Sequence, residues 1–455
     1  MNKLFFLLPV LAAVYSAAAA TYSFECTTNK KDAVYNAGEK ISFTARILQD
    51  GKCVTEPLQI RYKVLHDGKT VKSGFFKSDE KLSIDTVYDR PGWVHLHLQA
   101  VREFKENGKV QKQVIKYQIT KNGKKIIRSV EGGIGAMVEP LKIMPSIKEP
   151  EDFDEFWNNS KKALAEVPIK LLECKRIDSN YADVYDIKIA CVGDKPVSGI
   201  LCIPKNARPA SCPAVVFYHG AGVRSANIPI KYAKLGAIAF DVNAHGIENL
   251  KPQSFYDDLR QNYYNKKHDE KRPGSYFRWY RDNREQYYMR NMFLRALRAL
   301  EYIKTRPEWN KKHLIAAGTS QGGTQSIVCA ALDKDVTFVR AGVPGWCDNS
   351  GILANRLSGG GRLYTLQEAK EKPEFVNVLS YFDCMFFTRR IKCPIYMNTG
   401  FIDTVCAPSS VFAAYNQLPD TTEKYMQTTP TQGHSAAHTQ GHKALDEYIL
   451  SIQGK

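Results

Sequence analysis

The stretch Leu314-Ile315-Ala316-Ala317-Gly318-Thr319-Ser320-Gln321-Gly322-Gly323 runs from an apolar segment straight into G-x-S-x-G and then into a helical apolar pattern ending near Leu332. Consecutive apolar residues bounded by glycine predict a buried strand. The glycines flanking Ser320 let that strand and the following helix approach closely. The serine is then held in a tight turn, its hydroxyl raised above the carboxyl edge of a sheet. A serine hydroxyl is a weak nucleophile and needs a base.

An acid and a base follow in that order. Residues 395–399 read as an apolar strand leading into Gly400-Phe401-Ile402-Asp403, and a strand near 425–428 leads through Pro430 to Gly433-His434. Nucleophile, then acid, then histidine is the chain order of the α/β-hydrolase fold. Ser320, Asp403 and His434 are therefore the expected triad. His434 supplies the base, and Asp403 would fix its tautomer and stabilise the imidazolium. His438 and His442 are rival bases, but they run into the expected last helix.

Upstream, Phe217-Tyr218 ends in His219-Gly220-Ala221-Gly222, a variant of the H-G-G-G loop that supplies an oxyanion donor. The backbone N–H groups of Gln321 and Ala221 are the expected donors, with His219 shaping the loop. Asn243-Ala244-His245-Gly246 leaves another strand end on the same edge. Asn243 and His245 are accordingly expected near the alcohol portion of a substrate, His245 either touching it or bracing the loop.

Around these residues the pattern alternates between strands and helices. Apolar runs at 184–190, 197–203, 214–218, 237–242, 314–317, 339–343 and 395–399 predict a mostly parallel sheet covered on both faces. Met289, Met292, Phe293, Ala296, Leu297, Leu300 and Ile303 form the core stripe of one covering helix, stopped by Pro307. Residues 251–286, rich in Tyr, Arg, Lys and Asp, read as an insertion above the sheet.

The N-terminal third differs. Ile41, Phe43, Ala45 and Ile47, then Leu58, Ile60, Tyr62 and Val64, then Val94, Leu96, Leu98 and Ala100 alternate with period two, and turn signals separate the runs. An immunoglobulin-like β-sandwich is expected over 21–125, a glycine- and proline-bearing junction over 126–149, and the hydrolase over 150–455. Met1-Asn2-Lys3, the apolar run from Leu4 to Val14 and the small residues Ala17 to Ala20 read as a secretory signal peptide over 1–20, implying export to the periplasm or beyond.

With 455 residues, 44% hydrophobic and 24% charged, the chain is long enough for two or three folded domains. The net charge of +17 is scattered along the chain, which argues for a solvated basic surface rather than a nucleic-acid arm. Eleven cysteines leave at least one thiol unpaired, and a disulfide within the first 170 residues could join only Cys26 and Cys53.

Several separated blocks resemble the acetyl xylan esterases and cephalosporin C deacetylases. They are PEDFDEFW at 150–157, the His219-Gly220 loop, GTSQGG at the elbow, PGWCD at 344–348, YFDCMFFTRRIKCP at 381–394 and GFIDTVCAPSSVFAAYN at 400–416. The resemblance implies removal of acetyl groups from sugar hydroxyls without metal or cofactor. The family's nucleophile then falls on Ser320, its acid on Asp403, its base on His434 and its oxyanion donors on Gln321 and Ala221. The implied partner is an acetylated oligosaccharide or polysaccharide, with no nucleic acid and no membrane span, and homo-oligomer formation is left open. Feruloyl esterase or peptidase activity, or an inactive glycan-binding role, are the alternatives. Asn243-Ala244-His245-Gly246 departs from the family's Arg-Gly-Gln, Gly433-His434-Ser435 from its Gly-His-Glu, and the β-sandwich from its single-domain form.

Overall fold

The computed structural model describes residues 22–54, 58–106, 109–121, 124–264, 276–437 and 440–454. The expected leader and His438 lie outside them. Nine strands build the main sheet: β1 Leu171–Ile177, β2 Ala182–Ile189, β3 Val197–Pro204, β4 Cys212–Tyr218, β5 Ile238–Asn243, β6 Trp309–Thr319, β7 Phe338–Gly342, β8 Ile395–Gly400 and β9 Lys424–Thr429. Their spatial order is β1-β2-β3-β5-β4-β6-β7-β8-β9. The first three pair antiparallel, as does β3 with β5. Every pairing from β5 to β9 is parallel, so six carboxyl ends share one edge.

Parallel strands carry covering layers on both faces, and the residues of β6 show why. Leu314 and Ala316 enter one apolar core while Ile315 and Ala317 enter the other, so both sides of the strand must be apolar. Helix Tyr288–Lys304 buries the expected Met289, Met292, Phe293, Ala296, Leu297, Leu300 and Ile303 stripe in the first core. On the opposite face, Leu445 and Ile449 of helix Gln440–Ser451 close the second. Helix Phe153–Ala165, which begins within the PEDFDEFW block, sets Trp157 edge-on to Phe382 and Phe387.

The N-terminal region holds two packed sheets and a separate two-stranded ribbon, Lys116–Lys121 with Lys124–Ser129. One sheet holds Tyr22–Thr28, Lys40–Gln49, Lys52–Cys53 and Leu82–Val87; the other holds Val34–Tyr35, Glu131–Val138, Gly92–Glu106, Gln59–His66, Lys69–Lys77 and Lys109–Val114. Ile41, Phe43, Ala45 and Ile47 are buried, as are Val94, Leu96, Leu98 and Ala100.

Two expectations change here. Glu131–Val138, read as part of a junction, is a sandwich strand paired along its whole length with Gly92–Glu106. Its glycines serve close approach rather than a turn, since a Cβ on Gly135 would lie 1.9 Å from the Phe401 carbonyl oxygen. Cys26 and Cys53 are free thiols, like the other nine cysteines. They sit on strands flanking either side of Lys40–Gln49, opposite Ala45 and Leu48, so two strand spacings (~10 Å) and a three-residue offset separate them beyond disulfide reach.

Candidate active site

Ser320 links β6 to helix Gln321–Leu332 with φ 59° and ψ −122°, a conformation that L-residues resist. Packing and hydrogen bonds hold it there. Its N–H donates to Gly342 O at 2.8 Å, and its carbonyl accepts from Thr324 N–H and Gly345 N–H, each at 3.1 Å. The glycines are required by space: a Cβ at Gly318 would meet Gly322 O at 2.2 Å, and one at Gly322 would meet Tyr218 O at 1.8 Å. Beneath the turn, fully buried Arg340 donates to Gly318 O at 3.0 Å and Thr319 Oγ1 at 2.6 Å. Burial lowers its pKa to about 10, which leaves it cationic at neutral pH.

Gln321 is the first residue of its helix, so its N–H has no partner within the helix and carries the helix's positive end. The loop after β4 comes alongside: a Cβ on Gly220 would stand 3.6 Å from Ser320 Cβ, and the neighbouring Ala221 is exposed. Neither the Ala221 N–H nor the Gln321 N–H meets an acceptor among the described residues. Tyr276 bridges the two segments. Its hydroxyl donates to Gln321 Oε1 at 2.5 Å and accepts from Gly222 N–H at 3.4 Å. Burial drives that phenol's pKa up, keeping the donor proton in place.

Asp403 and His434 come from the loops after β8 and β9 and meet at 2.8 Å, Oδ2 to Nδ1. The acid's side chain is fully buried, and that of His434 is one-third exposed (33%). Asp403 Oδ1 accepts from Val405 N–H at 2.7 Å and Cys406 N–H at 2.9 Å, so the carboxylate presents its other oxygen to the imidazole. Ser320 joins this group through Cys406. Burial raises the Cys406 thiol's pKa, and the neighbouring Ser320 hydroxyl partly offsets that rise. No direct Ser320–His434 hydrogen bond forms among the described residues; such bonds often tighten only when substrate arrives. His442, the rival base, lies on the last helix with its Nδ1 3.5 Å from Tyr232 OH.

His219 and His245 sit deeper. His219 Nδ1 meets Gly220 O at 2.7 Å, and its Nε2 accepts from Ala244 N–H at 3.2 Å, tying the β4 and β5 loops together. Burial pushes its pKa down to about 4, so the ring is neutral and its acceptor nitrogen is preserved. Asn243 and His245 are both fully buried. Asn243 donates to Arg224 O and Asn249 Oδ1 and accepts from His245 N–H. The His245 ring lies 4.5 Å from the rings of Tyr264 and Tyr276, with Nδ1 at 2.6 Å from Tyr288 OH. This is the bracing arrangement. Arg295, also buried, donates to Ala244 O and completes the support.

The residues missed in the sequence are of this supporting kind. Tyr276 sits in an aperiodic insertion and Arg340 inside an apolar strand, and only their tertiary partners distinguish them. Chemically, the assembly offers a hydroxyl on a strained turn, two unengaged N–H groups beside it and an imidazole oriented by a buried carboxylate. Those are the parts needed for acyl transfer.

A family model described as acetyl xylan esterase matches residues 137–450. An acetyl esterase of Xylanibacter ruminicola is 28% identical over 458 aligned residues, covering 95% of this chain and 93% of its own length. An acetyl xylan esterase from Paenibacillus sp. R4 and acetyl xylan esterase 1 from Thermoanaerobacterium sp. JW/SL YS485 each superpose with a TM-score of 0.58. Both are 25% identical, over 69% of this chain and 98% of theirs. The Xylanibacter relative thus extends across the sandwich region, whereas the two solved structures leave about a third of this chain unmatched.

Proposed function

This chain belongs to the acetyl xylan esterase family, and from that membership we propose that it is an exported serine esterase removing O-acetyl groups from plant-type glycans such as acetylated xylan or xylo-oligosaccharides. Membership makes it a carboxylic ester hydrolase. The serine mechanism rests on one observation above the others: the 2.8 Å Asp403–His434 pair is carried on the same carboxyl edge of the sheet as a serine held at φ 59° in an elbow.

In that mechanism Ser320 Oγ attacks the acetyl carbonyl while His434 Nε2 takes its proton. Asp403 keeps the proton on Nδ1 and stabilises the imidazolium. Negative charge on the carbonyl oxygen develops against the N–H groups of Gln321 and Ala221, each such donor contributing about 3 kcal/mol. The sugar hydroxyl departs with the proton from His434. Water then attacks the acetyl-enzyme by the same route and releases acetate. No cofactor is needed, because nucleophile, base and electrophilic donors all belong to the chain.

Export is proposed on the N-terminal sequence, which lies outside the described residues. Among the described residues no helix is long and apolar enough to cross a membrane.

Release of acetate, ferulate or cleaved peptide across acetylated xylo-oligosaccharides, other acetylated glycans, feruloylated sugars and peptides tests the reading. The fastest turnover is expected on the first group, with Ser320→Ala retaining less than about a hundredth of it. Preference for feruloylated sugars, or undiminished turnover by Ser320→Ala, contradicts it.

A further inference from the structure

The β-sandwich touches the hydrolase at the two loops that carry the acid and the base. Trp93, fully buried, donates its indole N–H to Phe401 O at 2.6 Å, two residues before Asp403. Gly135 donates its backbone N–H to Pro430 O at 2.8 Å, four residues before His434. The two donors stand on neighbouring strands of one sheet: Met137 pairs with Trp93, and Gly135 pairs with His95. Their spacing is therefore set by sheet register rather than by loop conformation.

Nothing larger than glycine fits at 135, where a Cβ would lie 1.9 Å from Phe401 O and 2.5 Å from Phe401 Cβ. The indole is fixed in turn by His95, stacked on it at 5.4 Å and 20°. His95 is buried, and its burial lowers its pKa to about 3, so a neutral ring backs the tryptophan.

The loops also bond to each other, Phe401 N–H to Thr429 O at 2.9 Å and Ile402 N–H to Gln432 O at 3.1 Å. Those bonds fix the loops to each other, and within the hydrolase Arg362 donates to Thr404 O at 2.9 Å. The sandwich adds one external donor to each loop. A separate anchor, Arg90 on Ala354 O and Asn355 O at 3.2 and 3.1 Å, holds the sandwich to the hydrolase away from these loops.

We infer that the sandwich works as a two-point clamp on the acid–base pair, with Trp93 and Gly135 as positioning residues for Asp403 and His434. The inference rests on the proposed roles of those two residues. It gives the N-terminal domain a part in turnover that needs no contact with substrate. A misplacement near 1 Å in a reacting constellation costs about 100-fold in rate, so even a partial release of one loop is measurable.

The test compares Trp93→Phe, Arg90→Ala and His434→Ala with wild type in the full chain, on a small aryl acetate and an acetylated xylo-oligosaccharide. Trp93→Phe is expected to lower kcat about 10-fold or more on both substrates with KM within about twofold, and to shift or broaden the proton resonance of His434 Nδ1. Arg90→Ala, which removes the bonds to Ala354 O and Asn355 O but neither loop contact, leaves kcat and that resonance unchanged. If Trp93→Phe does not fold, the isosteric 3-benzothienylalanine at position 93 removes only the N–H donor and replaces it in the comparison. A kcat within twofold of wild type and an unmoved resonance, in a protein whose His434→Ala variant is inactive, overturn the clamp and leave the site reading intact. Full activity of His434→Ala overturns both.

Discussion

Replacing Asp403 by asparagine separates the catalytic work of this residue from its structural work. Its Oδ1 holds Val405 N–H at 2.7 Å and Cys406 N–H at 2.9 Å, and its Oδ2 holds His434 Nδ1 at 2.8 Å. An asparagine oxygen can keep both backbone donors, which turns its NH2 toward the imidazole. Nδ1 must then accept, so the proton moves to Nε2, the nitrogen that has to receive the serine proton. Wrong-tautomer variants of serine hydrolases lose about 10^4 in kcat, or ~5.5 kcal/mol of transition-state stabilisation. Stability changes little, because the two backbone bonds survive. Asp403→Ala loses activity equally but orphans the buried Cys406 N–H as well, and is expected to be less stable by about 1–3 kcal/mol. Turnover of an aryl acetate and urea unfolding of the three proteins provide the readouts. An Asp403→Asn enzyme with more than about 1% of wild-type kcat, or equal unfolding midpoints for the two variants, refutes the reasoning.

Other consequences can be measured alongside. Gly322→Ala sets a methyl 1.8 Å from Tyr218 O and should destabilise by more than about 3 kcal/mol or prevent folding, whereas at Gly345 the nearest atom stands at 3.7 Å and alanine should cost under about 1 kcal/mol; denaturant midpoints check both. His219 has its pKa lowered by burial to about 4, so the unfolded chain binds this proton first. Its contribution to stability is complete above about pH 6.5 and is lost as pH falls toward 4, at up to ~1.4 kcal/mol per pH unit. His219→Gln should flatten the stability–pH curve by about that slope, and an unchanged curve excludes the contribution. His245→Ala should cost about 2–4 kcal/mol of stability while moving KM for small and large acetyl esters alike, since the ring is fully buried; a selective rise for oligosaccharides restores the substrate-contact role. Incubation with a chelator should leave turnover unchanged, and loss of activity reversed by zinc would point to a different mechanism.

The parts of this architecture that were legible in the sequence are those in which one residue satisfies one local rule. Leu314 to Ala317 are apolar because two cores claim alternate residues of β6, and the glycines around Ser320 answer to contacts within a few residues. Strand β1, Leu171–Ile177, escaped notice because it is a sheet edge with mostly exposed side chains and no alternation. Glu131–Val138 reads as a junction because its glycines respond to tertiary neighbours, Gly132 to Phe24, Gly133 to Leu96 and Gly135 to Phe401, rather than to a turn of their own. The burial of His245 depends on Tyr264 and Tyr276 from the aperiodic insertion and on Tyr288, the first residue of helix Tyr288–Lys304. Chemistry-bearing residues were visible through chain order, while their supports became visible only through distance.

The most direct test of the central claim is covalent labelling of the folded protein with a fluorophosphonate, followed by peptide mapping. A single adduct on Ser320, absent from Ser320→Ala and much slower to form in His434→Ala, is the expected result. Acetate release by wild type with no adduct on Ser320, or with the adduct on another residue, would contradict it.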